Sequence, residues 1–172
     1  LSMLSKLSLD KVPFYFEKIK AKDFFEEYTA YAADTLGEAG IEFIYNFECD
    51  EDREINIDPA QFRRVLNNLI DNSRKYGAED GGAKIMLSVR NGENGHTEIS
   101  IEDNGQGVPA DERDKIFETF YRGDKARTGH KNGSGLGLAI TKQITDRHGA
   151  SICADESELG GLKVIIDLPQ AK

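Results

Sequence analysis

The stretch DPAQFRRVLNNLIDNSRKY, residues 58–76, is the part of the chain from which the fold can be read. Asp58 is a helix-capping residue, Pro59 suits a first helical turn, and Gln61 stands three after the cap. Phe62, Val65, Leu66, Leu69, Ile70 and Ser73 then share one face at helical spacing, and such a face packs on a sheet. Asn68 and Asn72, four apart, lie on a neighbouring stripe; Lys75 extends it, and Tyr76 falls between it and the core face. Two readings of that stripe stand: a solvated face on which asparagines happen to align, or a face that holds a ligand. An Asn carbonyl oxygen is a neutral hard ligand, suited to Mg²⁺ already carrying phosphate oxygens and waters. A lysine one turn on can neutralise phosphate charge, and a tyrosine at the border can lay its ring along a purine.

Outward from this helix, the pattern alternates between strand and helix. Leu1, Leu4 and Leu7 form the tail of an amphipathic helix ended by Pro13, and Phe14 to Ile19 alternates as a half-buried strand does. Asp23, three before Glu26, signals a helix start; Phe25, Tyr28, Ala32, Leu36 and Ala39 follow at helical spacing, with Gly40 as the stop. Strands are expected at Ile41–Phe47, Glu54–Ile57, Lys84–Arg90, Thr97–Asp103, Ser151–Ala154 and Lys163–Leu168, with a turn at 91–95. Short and long helices are expected at Pro109–Phe117 and Leu136–Arg147, the second stopped at Gly149. Interleaved elements with several hairpins predict an α/β, two-layer sandwich: a mixed, mostly antiparallel sheet covered by about three helices.

Three further motifs carry chemistry. Asp103-Asn-Gly105-Gln-Gly107 follows a strand; it reads as a hairpin turn, or as a carboxylate held at a strand end to accept an adenine amine, with glycines that admit close backbone approach. Gly133-Ser134-Gly135-Leu136-Gly137-Leu138 opens a helix; glycine there weakens the helix by roughly 1 kcal/mol per residue against Ala, which exposed N–H groups binding phosphate would justify. The spacing fits neither the dinucleotide fingerprint nor the P-loop. Phe117, Phe120 and Tyr121 are core aromatics, or an anchor for the segment that follows. That segment carries Arg122, Lys125, Arg127 and Lys131 against Asp124, a basic island that is either solvated or a lure for an anion. Among the isolated histidines, His148 beside Gly149 should cap helix carbonyls, and His130, in the basic loop, could reach a phosphate.

Composition narrows the function classes. The net charge of −9 disfavours a nucleic-acid module. Cys49 and Cys153 have no metal-type spacing and are read as reduced strand thiols of a cytosolic protein. There is no apolar run of membrane-span length and no signal peptide. The chain opens without Met, in the middle of a leucine pattern, as a piece of something longer does.

With Asn68–Tyr76, Asp103–Gly107, Phe117–Arg122 and Gly133–Leu138 in this order, the chain resembles the ATP-binding catalytic domain of two-component sensor histidine kinases. The four stretches look like that family's N, G1, F and G2 boxes. The resemblance implies the Bergerat-type sandwich shared with the gyrase, Hsp90 and MutL ATPases, with a flexible ATP lid over about Gly123–Asn132. It implies ATP and Mg²⁺ as ligands, with Asn72 on the metal, Asn68 near the γ-phosphate, and Lys75 and Arg122 on phosphates. Tyr76 would stack on adenine and Asp103 would take its amine. Gly105 and Gly107 would shape the adenine pocket; Lys131, Gly133, Ser134, Gly135, Leu136, Gly137 and Leu138 would line the phosphate side. Ser73 stands where Ala is common.

The resemblance also implies residues 1–11 as the remnant of a second dimerisation helix and 12–172 as the catalytic domain. No histidine has the phosphoacceptor context, so that group would belong to an absent dimerisation domain, with relay to an aspartate of a response-regulator receiver domain. The fragment is expected to be monomeric and cytoplasmic, and its parent a homodimer anchored in the cell membrane. Rival readings are a gyrase, Hsp90 or MutL-type ATPase, whose glutamate base would fall at Asn68, an anti-sigma-type serine kinase, and a degenerate module that binds nucleotide or only partners.

Overall fold

The computed structural model describes residues 9–77, 81–119, 121 and 137–172. A five-stranded sheet is built from β2 (Glu42–Glu48), β4 (Lys84–Asn91), β5 (Thr97–Asp103), β6 (Ser151–Glu156) and β7 (Leu162–Leu168), in the order β2-β4-β5-β7-β6. Only β2 and β4 run parallel, with Glu42 opposite Lys84; the other pairs are antiparallel hairpin partners or, for β5 and β7, returns after a helix. A two-stranded antiparallel ribbon, β1 (Glu17–Lys20) with β3 (Glu54–Ile57), stands apart from it. Among the described residues, three α-helices cover one face: α1 (Ala21–Glu38), α2 (Pro59–Lys75) and α3 (Gly137–Arg147). This is the expected two-layer, mixed, mostly antiparallel sandwich.

Alternation fixes which sheet face meets the helices. Ile85, Leu87 and Val89 of β4, Ile99 and Ile101 of β5, and Val164, Ile166 and Leu168 of β7 are all buried. Against them pack Phe62, Val65, Leu66, Leu69 and Ile70 of α2, with Ser73 buried on the same face, as the periodicity requires. Phe24, Phe25 and Phe62 meet edge to face at 5.1–6.4 Å and join α1 to α2.

The α2 start forms as its sequence dictates: Asp58 Oδ1 accepts the Gln61 N–H at 3.0 Å. α1 differs. It begins at Ala21 with no side-chain cap, directly after β1, because the Ala21 N–H is taken by the Arg53 carbonyl at 2.9 Å. Backbone of the ribbon replaces the cap, and Asp23 instead sits in the first turn, where its charge favours the positive helix end. Ala39 is exposed beyond the last turn, and Gly40, at φ +77, makes the stop. The Pro109–Phe117 segment is not one helix. Successive bonds of 2.9–3.0 Å span three residues each, from Glu112 to Pro109, Lys115 to Glu112 and Glu118 to Lys115, and only Lys115–Phe117 is a 3₁₀ turn. The first strand covers Glu17–Lys20 only, and Cys49 follows β2 rather than lying in it; Cys153 is in β6, and both thiols are free.

The segment 9–16 is strapped to the far end of α3. Gln143 Oε1 accepts the Leu9 N–H at 3.2 Å, and the Arg147 guanidinium donates to the carbonyls of Leu9 and Val12 while lying 4.1 Å from the Phe14 ring centroid. His148 caps the Ile144 carbonyl through Nδ1 at 2.8 Å, as its position beside Gly149 predicts. Its Nε2 also accepts the Asp58 N–H at 3.1 Å, a contact across 90 residues that no local pattern announces.

Candidate functional site

The polar stripe of α2, the loop after β5 and the first turn of α3 meet at one end of the molecule. Asn68 is half-buried, and its amide donates to the Gly137 carbonyl at 3.3 Å and to Thr141 Oγ1 at 3.4 Å, so it ties α2 to the start of α3. Asn72, one turn on, is half-buried, and its side chain has no hydrogen-bond partner among the described residues. Lys75 is exposed in the last turn, where a cation suits the negative helix end, and it has no ion-pair partner among the described residues. Tyr76 closes α2 with its N–H on the Asn72 carbonyl at 3.1 Å.

The loop after β5 is locked onto this helix end. The Gln106 N–H donates to the Tyr76 carbonyl at 3.3 Å. Gly105 must be glycine, because a Cβ there would stand 2.1 Å from that carbonyl oxygen. Gly107 adopts φ +71, the left-handed region that favours glycine.

Asp103, 3% exposed, sits at the centre of this arrangement. Its Oδ1 accepts two backbone N–H groups, from Gly105 at 2.9 Å and from Leu162 at 3.2 Å. Its own carbonyl accepts the Gly161 N–H at 3.0 Å. A side chain at Gly161 would bring its Cβ within 2.1 Å of Asp103 Oδ1. Burial pushes the Asp103 carboxyl above the usual carboxylate range; hydrogen bonds from Gly105, Leu162 and the Ser73 hydroxyl pull the other way, and Glu102 adds to the rise. The result is a desolvated acceptor with one oxygen occupied by backbone and the other receiving no backbone donor.

Gly137 opens α3, and among the described residues nothing lies within 4 Å of where a Cβ would stand there; Leu138 is half-buried against the core. Phe117 and Tyr121 pack on the core, with the Tyr121 hydroxyl on Glu112. Arg122, Lys131, Gly133, Ser134, Gly135 and Leu136, together with Phe120, His130 and the basic island, lie outside the described residues. The structure thus brings Asn68, Asn72, Lys75, Tyr76, Asp103, Gly105, Gly107, Gly137 and Leu138 to one region. Sequence reasoning missed Ser73, Gly161 and Leu162 as partners of Asp103. The only local signal was the Gly160-Gly161 pair before β7, which reads as an ordinary turn.

A profile of the histidine kinase-, DNA gyrase B- and HSP90-like ATPases matches residues 57–172, and the chain belongs to that family. Within it, the chain is similar to sensor histidine kinases. It is 41% identical over 132 residues to the sensor histidine kinase WalK of Bacillus subtilis, covering 77% of this chain and 21% of WalK. The mycobacterial sensor histidine kinase MprB superposes with a TM-score of 0.72 at 26% identity, over 90% of this chain and 97% of that one. Full-length ShkA in complex with AMPPNP shares the fold, with a TM-score of 0.79 at 23% identity over 98% of this chain and 34% of that one. The chain spans about a fifth of the length of the curated relatives it matches, 21% and 18% for the WalK proteins of B. subtilis and Staphylococcus saprophyticus. No described helix is long and apolar enough to cross a membrane.

Proposed function

We propose that the chain binds Mg-ATP and passes its γ-phosphoryl group to a histidine on a dimerisation domain, for relay to an aspartate of a response-regulator receiver domain. The observation that carries this is Asp103, a buried carboxylate whose Oδ1 is held by two backbone amides at a strand end. A fixed acceptor of this kind takes the adenine amine, and guanine offers no donor at that edge. Tyr76 stacks on the base, and Gly105 and Gly107 bring backbone to it. Lys75, with Arg122 and Lys131, neutralises phosphate charge, and the start of α3 at Gly137 and Leu138 offers N–H groups to it.

Asn72 fits a magnesium site. Its amide is unpartnered among the described residues, and those residues contain no cluster of three or more acidic, His or Cys groups that would cage a metal. Mg²⁺ is held in this manner, by one or two protein oxygens with phosphates and waters, and when bound it draws charge from the phosphate oxygens. Asn68 keeps the start of α3 beside the γ-phosphate. In the transfer, an imidazole nitrogen forms the new N–P bond, the bond to the β-phosphate oxygen breaks, ADP leaves, and the imidazole proton passes to solvent. Positioning and charge neutralisation supply the rate. The whole kinase would be a membrane-anchored homodimer with this domain in the cytoplasm.

Calorimetric titration with ATP and GTP, with and without Mg²⁺, tests the reading. Saturable binding of ATP in preference to GTP, strengthened by Mg²⁺, is expected. Asn72→Ala should lose the Mg²⁺ enhancement and keep the ATP preference. Absence of binding to either nucleotide would overturn the reading.

A further inference from the structure

Glu102 stands next to Asp103 in β5, so the two side chains leave opposite faces of the sheet. Asp103 points with Ile101 to the helical side. Glu102 points to the other face, where charged side chains ordinarily meet water, yet it is only 2% exposed. Its Oε1 accepts the Ser157 hydroxyl at 2.9 Å, and Ser157 is itself 4% exposed. Ser157 Oγ in turn accepts the Leu159 N–H at 3.0 Å. The direction is consistent along the chain of bonds: amide to hydroxyl to carboxylate, each donor polarising the next.

Ser157 begins the turn that joins β6 to β7. Its N–H donates to the Gly161 carbonyl at 2.9 Å, and its carbonyl accepts the Gly160 N–H at 3.0 Å. The far side of the same turn supplies the Gly161 and Leu162 amides that hold Asp103. The turn is therefore fastened to the end of β5 on both faces of the sheet, by Glu102 on one and by Asp103 on the other.

We infer that Glu102 and Ser157 are positioning residues for base recognition: they fix the β6–β7 turn whose amides aim the Asp103 carboxylate. This rests on the proposed adenine-binding role of Asp103. Neither side chain touches the nucleotide. Their work is to keep Leu162 N–H on Oδ1, so that the second carboxylate oxygen keeps its direction. Without the pair, the turn loses its fastening on one face of the sheet, and a loosened Leu162 amide leaves the Asp103 carboxylate with the Gly105 amide and the Ser73 hydroxyl.

The test compares Ser157→Ala, Glu102→Ala and Glu102→Gln with Arg53→Ala. Arg53 fastens the opposite end of β5, through the His96 carbonyl at 2.7 Å and Thr97 Oγ1 at 3.0 Å, and serves as a control for general destabilisation. ATP and GTP affinities, melting temperature and amide hydrogen exchange at Gly161 and Leu162 are measured on each. Ser157→Ala and Glu102→Ala are expected to lose roughly tenfold in ATP-over-GTP discrimination, the scale of a hydrogen bond to a charged group. They should also exchange the Gly161 and Leu162 amides faster. Glu102→Gln, which keeps an acceptor oxygen, is expected to retain both properties, and Arg53→Ala to melt lower with discrimination intact. Unchanged discrimination and protection in Ser157→Ala and Glu102→Ala would overturn the inference, as would an equal loss in Arg53→Ala. If the parent itself binds ATP without preference, the adenine reading and this inference fall together, whereas failure of the variants alone leaves the function standing.

Discussion

Asp58 and Asp103 are built alike, and on the proposed function they are used differently. Each ends or follows a strand, each is buried, at 5% and 3% exposure, and each accepts two backbone N–H groups. Asp58 divides the two: Oδ1 takes Gln61 at 3.0 Å and Oδ2 takes Tyr15 at 2.8 Å. Asp103 collects both on Oδ1 and leaves Oδ2 without a backbone donor. The first carboxylate has both oxygens occupied in holding α2 and the strap before β1. The second has no backbone donor on Oδ2, and the Ser73 hydroxyl is its side-chain donor. What separates the structural carboxylate from the proposed recognition carboxylate is how the lone pairs are allotted, since burial and the number of backbone donors are the same.

The largest effect should come from adding a side chain beside that oxygen pair. Gly161→Ala puts a Cβ 2.1 Å from Asp103 Oδ1 and 2.6 Å from the Gly105 nitrogen, and neither neighbour is a flexible end that can yield. ATP binding should be lost in calorimetry while the domain still melts cooperatively; retained affinity would show that the carboxylate is not aimed by this turn. Next, the same substitution at both aspartates sets them against each other. Asp103→Asn keeps an acceptor for Gly105 and Leu162 but turns a donor toward the adenine amine. We expect ATP to bind about 100-fold more weakly, on the order of 3 kcal/mol, with little loss of stability. Asp58→Asn sets an amide donor against the Tyr15 N–H. Urea unfolding should show a loss of roughly 1–2 kcal/mol, with the ATP preference unchanged. If both variants lost stability and neither lost selectivity, the distinction between the two carboxylates would fail.

The smallest effects are in pH dependence, and they differ in kind. Burial lowers the His148 pKa, and in the fold both ring nitrogens are engaged in the neutral form, one on the Ile144 carbonyl and one on the Asp58 N–H. The unfolded state then binds more protons below about pH 6.5, so stability should fall as pH falls through that value. Charged groups facing this ring are Arg147, which opposes its protonation, and Asp58, which favours it. Urea midpoints measured from about pH 7 to about pH 5 should decline, and the decline should flatten in His148→Gln. At Asp103 the shift is upward, so its protonation comes early on acidification and costs ATP affinity rather than stability. Titrations over the same range read that separately.

The legible part of this molecule is what periodicity and capping control. The α2 face, its Asp58 cap, the strand pairs around residues 91–95 and the glycine stops at Gly40 and Gly149 follow from local chemistry. The misread parts are those in which a distant backbone group displaces a local one. Asp23 does not cap α1 because the Arg53 carbonyl reaches Ala21 first. Pro109–Phe117 has helical composition but settles into three-residue turns, with Arg113 bonded back to the Val108 carbonyl at 3.1 Å. The site divides in the same way. Asn72 and Asp103 are visible as types in a pattern, while Ser73 matters because α2 packs over the end of β5, and Ser157 and Gly161 matter because β7 returns beside β5.

That return has a consequence for the order in which the protein becomes functional. Leu162 lies 59 residues after the carboxylate it serves. A chain still emerging from the ribosome can display β4 and β5 as a hairpin, and can wind α2, while Asp103 waits half-made. Only when the turn and β7 have been synthesised and have zipped against β5 does the acceptor acquire its direction. If Asp103 reads the base as proposed, nucleotide capture during translation is deferred until β7 is present, and a product truncated before Ser157 would keep much of its hydrophobic pattern yet be blind to the base.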